Sequence, residues 1–216
     1  ILHPEAPYGE NLASAFRSAV EAEGGEVVGA FQYPAGATSF GQVVTELRGQ
    51  SFDALYVADL PARVQLIAPA LATGGLWASS AATRRGDRAV TLLLPSIAFQ
   101  RSVLRQSGRY LEGAFFAVPF DPESTRPEVT EFVGAFQQRF GTTPDVYAAS
   151  AFDALSLILS QVDGGRSSRR EVGTGLAGTS QVTVGPSGGL SDQRLPEVGG
   201  RIFEVRDGAL VGVLGS

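Results

Sequence analysis

The sequence predicts an α/β fold built on a mostly parallel sheet. Short apolar runs alternate with segments whose apolar residues recur at helical spacing, and Gly-Gly or Gly/Pro pairs separate the two. The opening residues add a third indication: Ile1-Leu-His-Pro4 reads as a buried strand, and it runs through a short loop at Tyr8-Gly9-Glu10 into a helix. Strand, short loop and helix N-terminus in an α/β sheet form a natural small-ligand site, because amides at the helix start (here Glu10 and Asn11) favour an anion.

That first helix carries Leu12, Phe16, Ala19 and Val20 and runs to Glu23, where Gly24-Gly25 stops it. Residues 26–31, Glu-Val-Val-Gly-Ala-Phe, read as a second strand. Phe40, Val43, Val44 and Leu47 then fall at i, i+3, i+4 and i+7, one face of a helix that Thr38 or Ser39 is placed to cap. Residues 52–59 form a third strand, with a short apolar run ending in turn residues. A third helix through Val64, Ile67 and Leu71 closes at Gly74-Gly75. Leu76-Trp-Ala78 and residues 89–94 are the next strands, joined by the basic 84–88 loop. A helix over 103–110 leads to another strand over 113–119. This is a repeated β-α unit, for which right-handed crossovers are expected.

After Phe120 two helices follow in succession. Val129, Phe132, Val133, Phe136 and Phe140 form a wide apolar stripe ended by Gly141 and Pro144. Phe152, Leu155, Leu159 and Val162 form the stripe of the next helix. From Ser180 the chain is strand-like and Gly-rich, and Asp207-Gly208 between two apolar runs is its strongest hairpin signal.

Composition bounds the function. A formal charge of −5 with 44% hydrophobic and 9% aromatic residues describes an ordinary globular chain. Nucleic acid is an unsuitable partner at that charge. The clusters Arg84-Arg85-Gly-Asp-Arg88 and Arg166-Ser-Ser-Arg-Arg170 read as solvated loops. No apolar run reaches the roughly 20 residues of a membrane span. All 17 basic residues are arginine, and Lys, Met and Cys are absent. The chain is therefore read as a fragment or processed product, without disulfides or Cys-based metal sites.

Enzyme motifs fail on context. Residues 185–189, Gly-Pro-Ser-Gly-Gly, fit a nucleophile elbow, but no helix follows Ser187, and His3 is the sole imidazole. Residues 173–178, Gly-Thr-Gly-Leu-Ala-Gly, fit a dinucleotide fingerprint but follow a polar loop and precede a strand. A Walker phosphate loop requires a lysine. His3 with Glu5 is too sparse for a metal site. The reading is a non-enzyme without cofactor or metal.

The order of elements, together with Tyr8-Gly9, Phe31-Gln-Tyr-Pro-Ala-Gly-Ala-Thr-Ser-Phe40, Tyr110-Leu-Glu-Gly113, Pro119-Phe-Asp-Pro122, residues 132–141 and Ala148-Ala-Ser-Ala-Phe-Asp-Ala-Leu155, resembles the type 1 periplasmic ligand-binding proteins. These are the branched-chain amino acid receptors of ABC transporters and their relatives. Within that group, Arg109-Tyr-Leu-Glu-Gly113 and Pro144-Asp-Val-Tyr-Ala-Ala149 are most similar to the penicillin-binding-protein activators, outer-membrane lipoproteins.

The resemblance implies a periplasmic binding protein type 1 fold: two lobes on a hinge, with the ligand between them. Residues 1–120 and 181–216 would form a Rossmann-like C-terminal lobe. Residues 121–180 would be helices of an incomplete N-terminal lobe whose sheet lies mostly upstream. Phe132, Phe136, Phe140, Phe152 and Leu159 would each forgo roughly 1.5 to 3 kcal/mol in water. A dimer or swapped assembly of the fragment is therefore expected to cover them.

The implied ligand contacts are Tyr8, Gly9, Asp59, Leu60 and Ser96. Tyr8 matches an aromatic that reaches bound amino acids in the resembled receptors; a tyrosine packing over its own loop is the alternative. Leu60 and Pro61 stand where those receptors place aromatics. Ser96 stands where they carry an acid for the ligand ammonium, a charge that Asp59 could supply instead. Two function classes follow. One is an extracytoplasmic receptor for a small polar, amino-acid-like solute, serving ABC transport or sensing. The other is a periplasmic or outer-membrane-anchored module that regulates a peptidoglycan synthase through protein contacts. An intracellular ligand-responsive regulator of the same fold is the residual reading.

Overall fold

The structure is a computed structural model of the chain. It describes residues 1–78, 87–118, 120–178, 184–190, 196–197 and 201–214. Its first elements are β1 (Leu2–Pro4), α1 (Pro7–Ala22), β2 (Phe31–Tyr33), α2 (Gly41–Arg48), β3 (Ala54–Tyr56), α3 (Pro61–Thr73), β4 (Leu76–Ala78) and β5 (Arg88–Leu94). A 3-10 turn at Ser96–Ala98, α4 (Arg101–Leu111) and β6 (Phe115–Val118) follow. Then come α5 (Pro127–Phe140), α6 (Val146–Asp163), α7 (Arg169–Ala177), β7 (Val184–Gly185), β8 (Gly188–Leu190), β9 (Pro196–Glu197), β10 (Arg201–Arg206) and β11 (Ala209–Leu214).

Two compact units result, one from residues 1–117 with 202–214 and the other from residues 118–201. In the first unit β1 and β2 pair in parallel, and β1 reaches the main sheet through a parallel bridge between Leu2 and Val57. The main sheet runs β11-β10-β6-β5-β3, and β4 also pairs with β5. The pairs β3/β5, β4/β5 and β5/β6 are parallel, as continuous apolar runs bounded by helices demand. Leu2, Leu55 and Val57 are buried, as are Leu47 of α2, Val64 and Ile67 of α3 and Leu111 of α4, so both the helical and the strand periods turn their apolar residues inward. Phe16 stacks on Tyr56 at 4.0 Å, fixing α1 over β3.

Several local expectations shift. Residues 26–31 do not form the second strand; β1 is three residues long, and its register, Leu2 opposite Phe31 and Pro4 opposite Tyr33, draws the partner to 31–33. Neither Thr38 nor Ser39 caps α2, which begins after Phe40 without a side-chain cap. Burial of Phe40, edge-on to Tyr33 at 5.0 Å, fixes that start instead. Arg84 and Arg85 lie outside the described residues, but Arg88 is no solvated loop cation. It opens β5, lies 4.1 Å from the Phe52 ring centroid, and donates to the Gln50 carbonyl at 2.6 Å.

The second unit is mostly helical. Asp145 caps α6 by accepting from the Ala148 amide at 2.9 Å, and Ser168 with Glu171 forms a capping box on α7. Phe120, Val129, Phe132 and Ala149 make its small core, with Phe136 packed against it. Phe140, Phe152, Leu155, Leu159 and Val162 remain exposed. Among the described residues no helix is long and apolar enough to cross a membrane.

Candidate functional site

In the first unit the carboxyl ends of β1, β2, β3 and β5 lead into the segments that carry Tyr8, Tyr33, Asp59 and Ser96. This is where an open parallel sheet offers loop residues to a ligand.

The site is organised around one carboxylate. Asp59 follows β3 and is completely buried. Its Oδ1 accepts the Tyr8 hydroxyl at 2.5 Å and the Leu60 amide at 2.6 Å. Its Oδ2 accepts the Tyr33 hydroxyl. Three donors offset the cost of burying a charge. Burial pushes the Tyr8 phenol up to about 12, helped by the hydrogen bond and charge of Asp59, while the Arg63 charge pulls it down. The same causes raise Tyr33 further. Arg63, in the first turn of α3, donates to the Ala37 and Ala35 carbonyls at 2.5 Å each, tying the 34–37 loop to the site.

The other expected residues sit around this cluster. Gly9 is buried in the first turn of α1, and a Cβ there would lie 2.6 Å from Pro4 Cδ and 2.9 Å from the Pro4 carbonyl oxygen. Only glycine lets α1 start so close to β1. The amide expected to face an anion at Glu10 donates instead to the Ala6 carbonyl at 3.0 Å. The groups preceding the first intrahelical bond are therefore those of Tyr8 and Gly9. Leu60 precedes α3 with an exposed side chain, and Ser96 is exposed where the chain leaves β5. The structure thus joins Tyr8, Asp59 and the Leu60 backbone directly, and adds Tyr33 and Arg63, which sequence reasoning did not single out. Tyr33 stands in the Phe31–Phe40 run that carries the resemblance, but a strand placed at 26–31 hides its position at a strand end.

The motifs set aside as enzymatic have structural roles. Pro186 and Ser187 form the turn between β7 and β8, and Ser187 donates both its amide, at 2.9 Å, and its hydroxyl to Asp153. Residues 173–177 are helical in α7, which ends at Gly178. His3 is buried, with Nδ1 3.1 Å from the Pro4 carbonyl oxygen. The second unit also holds an apolar groove of 540 Å³ lined by Phe132, Phe136, Phe140, Phe152, Leu157 and Pro186.

A profile of the periplasmic binding protein family matches residues 1–208. The chain belongs to that family. No curated protein sequence matches it. A solved structure assigned to a branched-chain amino acid ABC transporter from Rhodospirillum rubrum is 25% identical, with a TM-score of 0.79 over 98% of this chain and 59% of that one. The LivJ substrate-binding protein of Streptococcus pneumoniae, in complex with isoleucine, is 17% identical with a TM-score of 0.71 over 98% and 59%. A solute-binding protein of an ABC transporter from R. palustris, in complex with benzoate, is 19% identical with a TM-score of 0.70 over 98% and 56%. The periplasmic binding protein chain described here thus spans less than two thirds of each of these structures.

Proposed function

We propose that this periplasmic binding protein chain supplies the Tyr8-bearing lobe of an extracytoplasmic receptor. The receptor binds a small polar, amino-acid-like solute between two lobes and hands it to an ABC transporter or a sensor by hinge closure. The observation that carries this reading is the family match over residues 1–208. The site agrees with it: polar groups converge at the carboxyl ends of the strands. The chain acts by binding rather than catalysis. Tyr8, Gly9, Leu60 and Ser96 are the contacts offered to the solute, with Asp59 behind Tyr8. The activator reading has no observation in its favour.

The division of the chain supports a companion proposal. Residues 121–180 belong to the other lobe, and their exposed apolar residues face a sheet supplied from elsewhere in the complete protein. The structural relatives, of which this chain covers 59% or less in the three described, leave room for such a sheet.

A thermal-shift screen of the complete protein against amino acids and small organic acids tests the receptor reading. A ligand at about 100 times its Kd adds about 2.7 kcal/mol to stability, a clear rise in Tm. Tyr8→Ala abolishes the shift if the site is correct. Silence across the panel overturns the reading.

A further inference from the structure

The placement of protons around Asp59 constrains what the ligand can be. A carboxylate only accepts hydrogen bonds, and a phenol owns one proton. Tyr8 commits that proton to Asp59 Oδ1 at 2.5 Å, and Tyr33 commits its own to Oδ2. Asp59 itself is sealed from solvent, with the Leu60 amide on Oδ1 at 2.6 Å as a third donor, so its charge cannot be touched by a solute. Tyr8 is half-buried, and its oxygen retains only lone pairs for a new partner. The nearby cation, Arg63, is engaged by the Ala37 and Ala35 carbonyls.

We propose that Asp59 is a positioning residue that fixes Tyr8 as a hydrogen-bond acceptor, so that the ligand meets Tyr8 with a donor, an ammonium or hydroxyl group, and not with a bare carboxylate. This rests on Tyr8 being a solute contact, as proposed above. The negative charge that Ser96 cannot provide then acts from one residue further back. The short charge-assisted bond polarises the Tyr8 oxygen and strengthens its attraction for a donor. Tyr33 completes the arrangement by occupying the other carboxylate oxygen, which keeps Asp59 from turning away from Tyr8.

The test uses matched probes on the complete protein, read by thermal shift and titration calorimetry: leucine, isoamylamine, isoamyl alcohol and 4-methylpentanoate, with benzylamine and benzoate as a second pair. Probes bearing a donor raise Tm and the two acids do not. Tyr8→Phe, a change at a half-buried position, weakens the donor probes about tenfold or more. Asp59→Leu, close in size and without an acceptor, frees the Tyr8 proton to turn outward, weakening the amines and letting the acids gain. Asp59→Asn instead keeps an oxygen toward the Leu60 amide and Tyr8 and preserves the donor preference. Tyr33→Phe leaves the Tyr8 proton where it is and shifts donor affinity less than about threefold. Binding of the acids that Tyr8→Phe weakens means that Tyr8 donates, and this overturns the proposal while leaving the receptor reading intact. Silence from every probe overturns the receptor reading and the proposal with it.

Discussion

At the scale of single residues, two phenols on one buried carboxylate make the first unit sensitive to alkali. The ordinary phenol value of 10 rises to about 12 for Tyr8, through burial and Asp59, and to about 12 for Tyr56, through burial alone. Tyr33 is raised as well. A phenol that holds its proton more tightly when folded contributes stability that is complete below the unfolded value and is lost as pH rises through the folded one. Melting temperature should therefore be flat up to about pH 10 and fall between about pH 10 and 12. Tyr33→Phe should flatten that fall, because burial and then Asp59 raise its phenol, and an unchanged slope would mean that the Tyr33 phenol is not raised in the folded chain. Packing gives a second expectation. Gly9→Ala drives a Cβ to within 2.6 Å of Pro4 Cδ, so the urea midpoint should drop by the equivalent of about 1–3 kcal/mol. A midpoint within error of the parent would mean that α1 shifts freely on β1.

At the scale of elements, the hairpin closing the first unit is the most local feature and was the most legible. Asp207 and Gly208 take φ of 52° and 73°, the paired left-handed conformation of a type I′ turn, between antiparallel β10 and β11. The Glu112 carboxylate at the end of α4 accepts the Asp207 amide at 2.7 Å and the Gly208 amide at 3.4 Å. Gly208→Ala should cost about 1 kcal/mol in chemical denaturation without changing the slope of the transition. A larger loss accompanied by a changed slope would show that the hairpin organises more than its own turn. Helix stops at Gly24, Gly75 and Gly141 were readable for the same local reason. The Tyr33–Asp59 contact spans 26 residues and depends on the register of a three-residue strand, and no local periodicity encodes that. Likewise, the apolar stripes of α5 and α6 were legible as stripes. Which members they bury was not: Phe132 is covered by Phe120 and Phe152, while Phe152 itself stays 48% exposed.

At the scale of the whole molecule, the second unit poses an energetic problem that its own residues do not solve. Phe140, Phe152, Leu155, Leu159 and Val162 on α5 and α6 are 47% to 62% exposed. Four of them recur along α6 at helical spacing, and Phe140 and Phe152 also line the 540 Å³ groove. Full burial of such side chains is worth about 1.5 to 3 kcal/mol each, so this surface favours any apolar partner over water. In the complete protein the proposed partner is the sheet of the other lobe. The 216-residue chain alone lacks that sheet on this proposal, and copies of it should associate through α6. Light scattering with size-exclusion chromatography should show mass rising with concentration, together with binding of an apolar dye. The double substitution Leu155→Glu and Leu159→Glu should return the chain to a monomer while leaving its helical circular dichroism intact, because both side chains are already half in solvent. In the complete protein the same pair should instead destabilise strongly, by placing two charges in a packed interface. A chain that stays monomeric at all concentrations, or a complete protein that tolerates both glutamates, would show that this face needs no cover, and residues 121–180 would then have to be regarded as a self-sufficient helical unit.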